Sequence, residues 1–332
     1  MSHSPPFFWG PKMDVSFLGG PLPQRGVGIV APFDFALDRE LWRWVPDDVS
    51  LHLTRTPFVP VEVSLDLARL VSEHETLREA VRALSAVAPE VVAYACTSGS
   101  FVGGTAGERA MTSAMADAGE IPSLTTSGAL LEALREIDAR RIALVTPYTK
   151  SVTDSLEDYL DEAGIGISGR CYLGLTRHIW RVPYRDVVDM AREAVVDAPD
   201  ALFISCTNLP TYDVIPQLEA ELRMPVLSAN QVTMWAALRA VGKEAVGPYQ
   251  ALLDPVARRG PAAMTSSIAT QPLAHETDGL VEPEEVPVEH EPEAALAGAG
   301  TEPAEPLEGP ADLGYGQALH PDEWGGGAQP PA

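Results

Sequence analysis

The chain predicts an α/β fold made of two similar lobes, each with a parallel sheet. Three features point there. Between Arg25 and Leu253, apolar runs of strand length alternate with helical patterns, and parallel neighbours require such crossover connections. The alternation starts twice, at "GVGIVA" (26–31) and again at "RIALVTP" (141–147). One strand in each half ends in a Cys-Thr pair, Cys96-Thr97 in "YACTSGSF" and Cys206-Thr207 in "FISCTNLPTYD".

The elements follow in order. "GVGIVA" and "VSLHLTRT" (49–56) read as strands because they are β-branched and bounded by turn residues. A helix is expected around Leu37 to Trp44, with Asp34 one candidate for its N-cap. "SLDLARLVSEHETLREAVRALSAV" (64–87) has apolar residues three and four apart and predicts one long amphipathic helix. "VVAYA" (91–95) is a buried strand, followed by a loop and a helix from about Gly104 to Ala118. "SGALLEALREIDA" is helical with Ser127 as N-cap. The second series reads as strand 141–147, helix 149–163, strand 165–173, helix 183–195 and strand 201–205. It closes with helix 212–223, strand 225–229 and helix 231–241. Each half is Rossmann-like or flavodoxin-like. Lobe one is expected over 25–125 plus 231–253, and lobe two over 126–230.

Composition narrows the function classes. Three cysteines among 332 residues, with no Cys-x-x-Cys pair, exclude a disulfide scaffold and a zinc ribbon and suggest a reducing compartment. No basic start leads into an apolar run and no stretch of eighteen apolar residues occurs, so neither a signal peptide nor a membrane helix is expected. A cytoplasmic protein is the default. The formal charge is −24, yet residues 271–332 hold 14 acidic residues and no Lys or Arg. The acidity therefore concentrates in a tail. From 259 to 332 the chain is rich in Pro, Glu, Ala and Gly and cannot bury enough apolar area to offset chain entropy, which predicts disorder. Residues 1–24, heavy in Pro and Gly, predict an irregular segment. No basic stripe or nucleic-acid motif occurs, so nucleic acid is not an expected partner.

Ligands of open α/β sheets bind outside the carboxyl ends of the strands. Two such halves facing one another would bring Cys96 and Cys206 to opposite sides of one cleft. Unpaired N–H groups at a following helix start favour a thiolate and predict a lowered thiol pKa. Thr97, Ser98, Thr207 and Asn208 supply hydroxyls, an amide and N–H groups able to hold a carboxylate. The plain alternative is that each thiol is a small core residue, the reading favoured for Cys171, which sits in a strand pattern with no polar loop after it.

"YACTSGSF" and "ISCTNLPT", with "GVGIVAPFD" and "VTPY", resemble the maleate cis–trans isomerases of the aspartate/glutamate racemase superfamily, which are related to the arylmalonate decarboxylases. The resemblance covers about residues 25–245. It implies a two-lobed pseudosymmetric fold and chemistry beside a carboxylate with no cofactor and no metal. It also implies Cys96 as nucleophile, Cys206 as acid–base or stabilising partner, Tyr148 as a donor to a substrate carboxylate, and a small carboxylate substrate. Superfamily members are often dimers, so a homodimer is the assembly it suggests. Two positions depart from the pattern. Asp34 stands where the isomerases carry asparagine, and His178, beside Arg177, falls near the second-lobe asparagine. Both remain substrate-binding candidates, His178 also as a proton shuttle, while His52 and His74 read as structural. Racemisation or decarboxylation of an amino acid, a malonate or an ectoine-pathway compound stays open, as does a non-catalytic binding protein of this fold.

Overall fold

In the computed structural model, residues 24–254 are described. Their strands form two separate parallel sheets. β1 (Arg25–Ala31), β2 (Val49–Arg55), β3 (Val91–Tyr94) and β4 (Ser123–Thr125) lie in the order β2-β1-β3-β4. β5 (Arg141–Thr146), β6 (Gly166–Tyr172), β7 (Ala201–Ile204) and β8 (Val226–Ser228) lie in the order β6-β5-β7-β8. Every pairing is parallel, so one topology is used twice and the halves are pseudosymmetric. Past their first residues the central strands are buried and mostly apolar, because helices cover both faces. Val27, Ile29, Val92, Ala93, Leu144, Val145, Leu202 and Phe203 are fully buried.

Among the described residues, ten α-helices make the crossovers and covers. They are α1 (Asp38–Trp42), α2 (Leu65–Val71), α3 (His74–Ser85), α4 (Thr97–Phe101) and α5 (Gly104–Gly119), then α6 (Thr126–Glu136), α7 (Lys150–Glu162), α8 (Tyr184–Ala194), α9 (Ile215–Leu222) and α10 (Ala229–Ala240). The single helix expected over 64–87 is two. Ser64 caps α2 by accepting from Leu67 N at 3.2 Å, and Glu73 caps α3 by accepting from Thr76 N at 2.8 Å. A carboxylate bonded to an N–H three residues on starts a new helix, so the break at Ser72–Glu73 is a capping event. Ser127 is not the cap of α6: Thr125 accepts from Gly128 N at 3.0 Å, and Ser127 is the second helical residue, bonded to Ser100. Nor does Asp34 cap α1, which begins after Leu37. The last helix starts at Ala229, two residues early, under a capping box of Ser228 and Gln231.

α10 packs against α6, β3 and β4 of the first sheet. The segment after it returns to α1, where Trp44 Nε1 and Gln231 Nε2 donate to Gln250 Oε1 at 3.0 and 2.8 Å. The irregular N-terminal segment and the acidic tail expected from the sequence lie outside the described residues. Among the described residues no helix is long and apolar enough to cross a membrane.

Candidate active site

In a sheet ordered 2-1-3-4, the chain leaves the carboxyl ends of strands 1 and 3 in opposite directions and opens a crevice there. Both sheets have that crevice, and the two face each other. Pro32, Asp34 and Phe35 follow β1, Cys96 to Ser98 follow β3, Tyr148 follows β5, and Cys206 to Asn208 follow β7. All of these line a single cleft of about 470 Å³ including its mouth. Its remaining wall is mostly apolar: Val63, Leu67 and Val71 from α2 and the loop before it, with Ile179 from the other lobe. Eight of the nine site candidates read from the sequence thus converge. His178 does not line the cleft. It is exposed, holds a left-handed φ of 56°, and packs its ring edge-on against Trp180 at 5.2 Å.

Cys96 is the N-cap of α4, and its Sγ accepts from Gly99 N at 3.4 Å. "TSGSF" is a poor helix former on its own. It winds because Ser100 Oγ contacts the Cys96 carbonyl at 2.7 Å and Ser127 Oγ at 2.7 Å, which anchors the turn to α6. Cys206 has a φ of 89°, a backbone state that side chains rarely adopt. The turn is held from the other lobe: Thr207 Oγ1 donates to the Ala95 carbonyl at 3.1 Å. The Asn208 amide donates to the Asp34 carbonyl and accepts from Ala36 N, each at 3.0 Å. The second Cys-Thr motif is therefore bonded to the residue preceding the first cysteine.

The thiols are only 5% and 7% exposed, and this reverses the expectation of lowered pKa values. Burial pushes the Cys96 thiol above its ordinary range. The Gly99 N–H and the Tyr94 and Ser98 hydroxyls pull it down in part, and the Asp34 charge pushes it up further. Burial pushes Cys206 up to about 12, against the pull of the Tyr148 hydroxyl and the Asn208 N–H. Burial also raises Asp34. The helix-start effect is present at Cys96, but the loss of water outweighs it. Both sulfurs feel the field of Asp34, and Cys206 also feels that of Cys96; all three groups line the same cleft. Thr97 Oγ1 is buried and has no hydrogen-bond partner among the described residues, and Thr97 lines the cleft.

The segments that carry the lining residues Val63 and Ile179 meet. Val63 N donates to the Thr176 carbonyl at 3.0 Å, and Arg177 pairs with Glu62 at 2.5 Å. Among the described residues no three His, Cys, Asp or Glu come together in a way that could hold a metal ion.

A family model described as arylmalonate decarboxylase matches residues 70–253. The chain belongs to this family. The arylmalonate decarboxylase of Bordetella bronchiseptica is 36% identical over 172 residues, covering 51% of this chain and 72% of that one. A maleate isomerase from Nocardia farcinica is 31% identical over 230 residues, covering 65% of this chain and 90% of its own. Among solved structures, a liganded arylmalonate decarboxylase carrying a glycine-to-cysteine and a cysteine-to-serine change superposes with a TM-score of 0.65. It is 30% identical and matches 70% of this chain and 100% of that one. The Nocardia farcinica maleate cis–trans isomerase, as a cysteine-to-serine mutant with a covalently bound succinylcysteine intermediate, superposes with a TM-score of 0.63. It is 27% identical and matches 69% and 98% of the two chains. This member of the arylmalonate decarboxylase family is thus an enzyme with the fold of both groups.

Sequence reading missed several residues of this family member that line the cleft or stand behind its lining. Tyr94 lies two residues before Cys96, is fully buried, and donates from its hydroxyl to the Val71 carbonyl at 2.7 Å. Its place in "YACTSGSF" was the available signal. Leu67 and Val71 stand four apart on α2 and so share a face, but periodicity alone does not tell a cleft wall from a core.

Proposed function

We propose that this protein is a cofactor-independent cis–trans isomerase of maleate or a similar small unsaturated dicarboxylate. The observation that carries the reading is the placement of two thiols, Cys96 and Cys206, on one cleft at matching strand ends of two lobes. The covalent succinylcysteine in the Nocardia farcinica isomerase supports the same chemistry. Cys96 passes its proton to the Asp34 carboxylate on the same cleft and adds as the thiolate to one alkene carbon. A C–S bond forms, and the π pair moves to the neighbouring carbon, where charge spreads into its carboxylate as an enediolate. Cys206, a thiol at neutral pH, protonates that carbon to give the succinyl adduct. Rotation about the new single bond follows. Cys206 then takes back a proton, the double bond re-forms, and the C–S pair returns to sulfur. Thr97 Oγ1, the Ser98 hydroxyl and the Tyr148 hydroxyl are the donors for the developing charge.

The apolar wall of Phe35, Val63, Leu67, Val71 and Ile179 favours a second reading. In it the substrate bears an apolar substituent beside its carboxylate, and the thiols exchange or deliver a proton at that carbon, in a racemisation or after decarboxylation. An ionised Asp34 would repel a dicarboxylate more than a monocarboxylate.

Incubation with maleate, followed by proton NMR, separates the readings. Fumarate formed by the wild type but not by Cys96→Ser supports isomerisation. No fumarate at high enzyme concentration, with deuterium uptake into a 2-aryl acid or loss of carbon dioxide from a 2-aryl malonate, moves the assignment to the second reading.

A further inference from the structure

We propose that Glu40 is a positioning residue that holds the strained Cys206–Thr207 turn against the rest of the cleft. This rests on the reading of Cys206 as a reacting group. Glu40 is only 7% exposed, and among the described residues no Lys or Arg pairs with it. A carboxylate without a counter-ion is costly to bury unless its lone pairs are filled. Here they are: Thr211 N donates at 3.0 and 3.3 Å to the two oxygens, Thr211 Oγ1 at 3.0 Å and Asn230 Nδ2 at 3.1 Å. Asn230 Nδ2 also donates to the Thr207 carbonyl at 2.8 Å. Both partners of that nitrogen accept, so the orientation of the amide is fixed.

The chain of contacts therefore runs from α1 through the Glu40 carboxylate to Asn230 at the start of α10, and from there to the peptide beside Cys206. A second arm runs from Glu40 to Thr211, which closes the same loop from its far end. Outside it, Arg43 forks onto Asp213 with two bonds of 2.6 Å. Cys96 is held by its own turn, the Gly99 N–H and the Ser100 hydroxyl, and the Thr207 hydroxyl reaches only the Ala95 carbonyl before it. Loss of Glu40 should accordingly loosen one thiol and not the other. Glutamine cannot replace it, since its amide would point N–H groups at the Asn230 amide or the Thr211 N–H.

The test is native-state alkylation of the full-length protein with iodoacetamide, read for each cysteine by mass spectrometry. In Glu40→Gln the labelling rate of Cys206 is expected to rise at least about tenfold while that of Cys96 stays within about twofold. Thr211→Val, which removes one donor and keeps the shape, should give the same selectivity at smaller size and serves if Glu40→Gln does not fold. Equal acceleration at both cysteines marks a merely structural role and overturns the proposal, as does no change at Cys206. Labelling needs no turnover, so the result stands whether or not maleate is a substrate. Once a substrate is in hand, kcat should fall in Glu40→Gln with KM little changed.

Discussion

Gly99→Ala tests how tightly the Cys96 turn is built. Gly99 lies in the first turn of α4, and a Cβ added there would overlap the Tyr94 hydroxyl and come within 3.1 Å of two of its ring carbons. Tyr94 cannot yield freely, because it is fully buried and its hydroxyl is bonded to the Val71 carbonyl at 2.7 Å. Overpacking of this kind costs about 1–3 kcal/mol. If the ring retreats, the buried Val71 carbonyl loses its partner, which adds about 1–3 kcal/mol. A total loss of about 2–6 kcal/mol, or a Tm fall of about 4–24 °C, is expected. If α4 retreats instead, the Gly99 N–H leaves Cys96 Sγ. Urea unfolding of Gly99→Ala alone and in a Tyr94→Phe background distinguishes the cause. Without the hydroxyl, the glycine substitution should cost at least about 1 kcal/mol less. A loss below about 0.5 kcal/mol, or the same loss in both backgrounds, refutes the reasoning.

Cys96→Ser should abolish turnover, whereas Cys171→Ser, on β6 and outside the cleft lining, should leave kcat/KM within about twofold; equal losses in steady-state assays would deny Cys96 a special role. Thr97→Val removes a buried hydroxyl that has no partner among the described residues, so stability should hold or rise while KM increases about tenfold; a fall in the urea midpoint would mean the hydroxyl has a structural partner. Glu219 accepts from Val226 N and Ala251 N, but burial still pushes it up to about 7. Its raised pKa means that the folded state keeps the proton longer, so its contribution is full below about pH 4.5 and is lost as pH rises to about 7, up to roughly 3 kcal/mol. Glu219→Gln should remove that decline, and a constant difference between variant and wild type in urea unfolding from pH 4.5 to 8 would contradict it.

The alternation of strands and helices, the double start and the two Cys-Thr turns were all legible in the residues, since each is a local pattern. What escaped depends on partners distant in sequence. Glu40 in "DRELW" looks like a solvated helix face, and its distant partners, Thr211 and Asn230 among them, draw it inside. The break at Ser72 was hidden because the apolar spacing runs through it, while the Glu73 cap is an ordinary glutamate by composition. β4 is three residues long and exists by pairing with β3. The sign of the Cys96 shift was wrong for a related reason: a helix start can be read from sequence, but the depth of burial that overrides it comes from both lobes closing on the site.

The most direct test is peptide mapping of Cys206→Ser after incubation with maleate. With no Cys206 to take the proton back, an adduct protonated by solvent is trapped, so a succinyl group on the Cys96 peptide alone is the predicted result. An adduct on Cys171, or none at all while Cys96→Ser still converts maleate to fumarate, would contradict a nucleophilic Cys96 working across the cleft from Cys206.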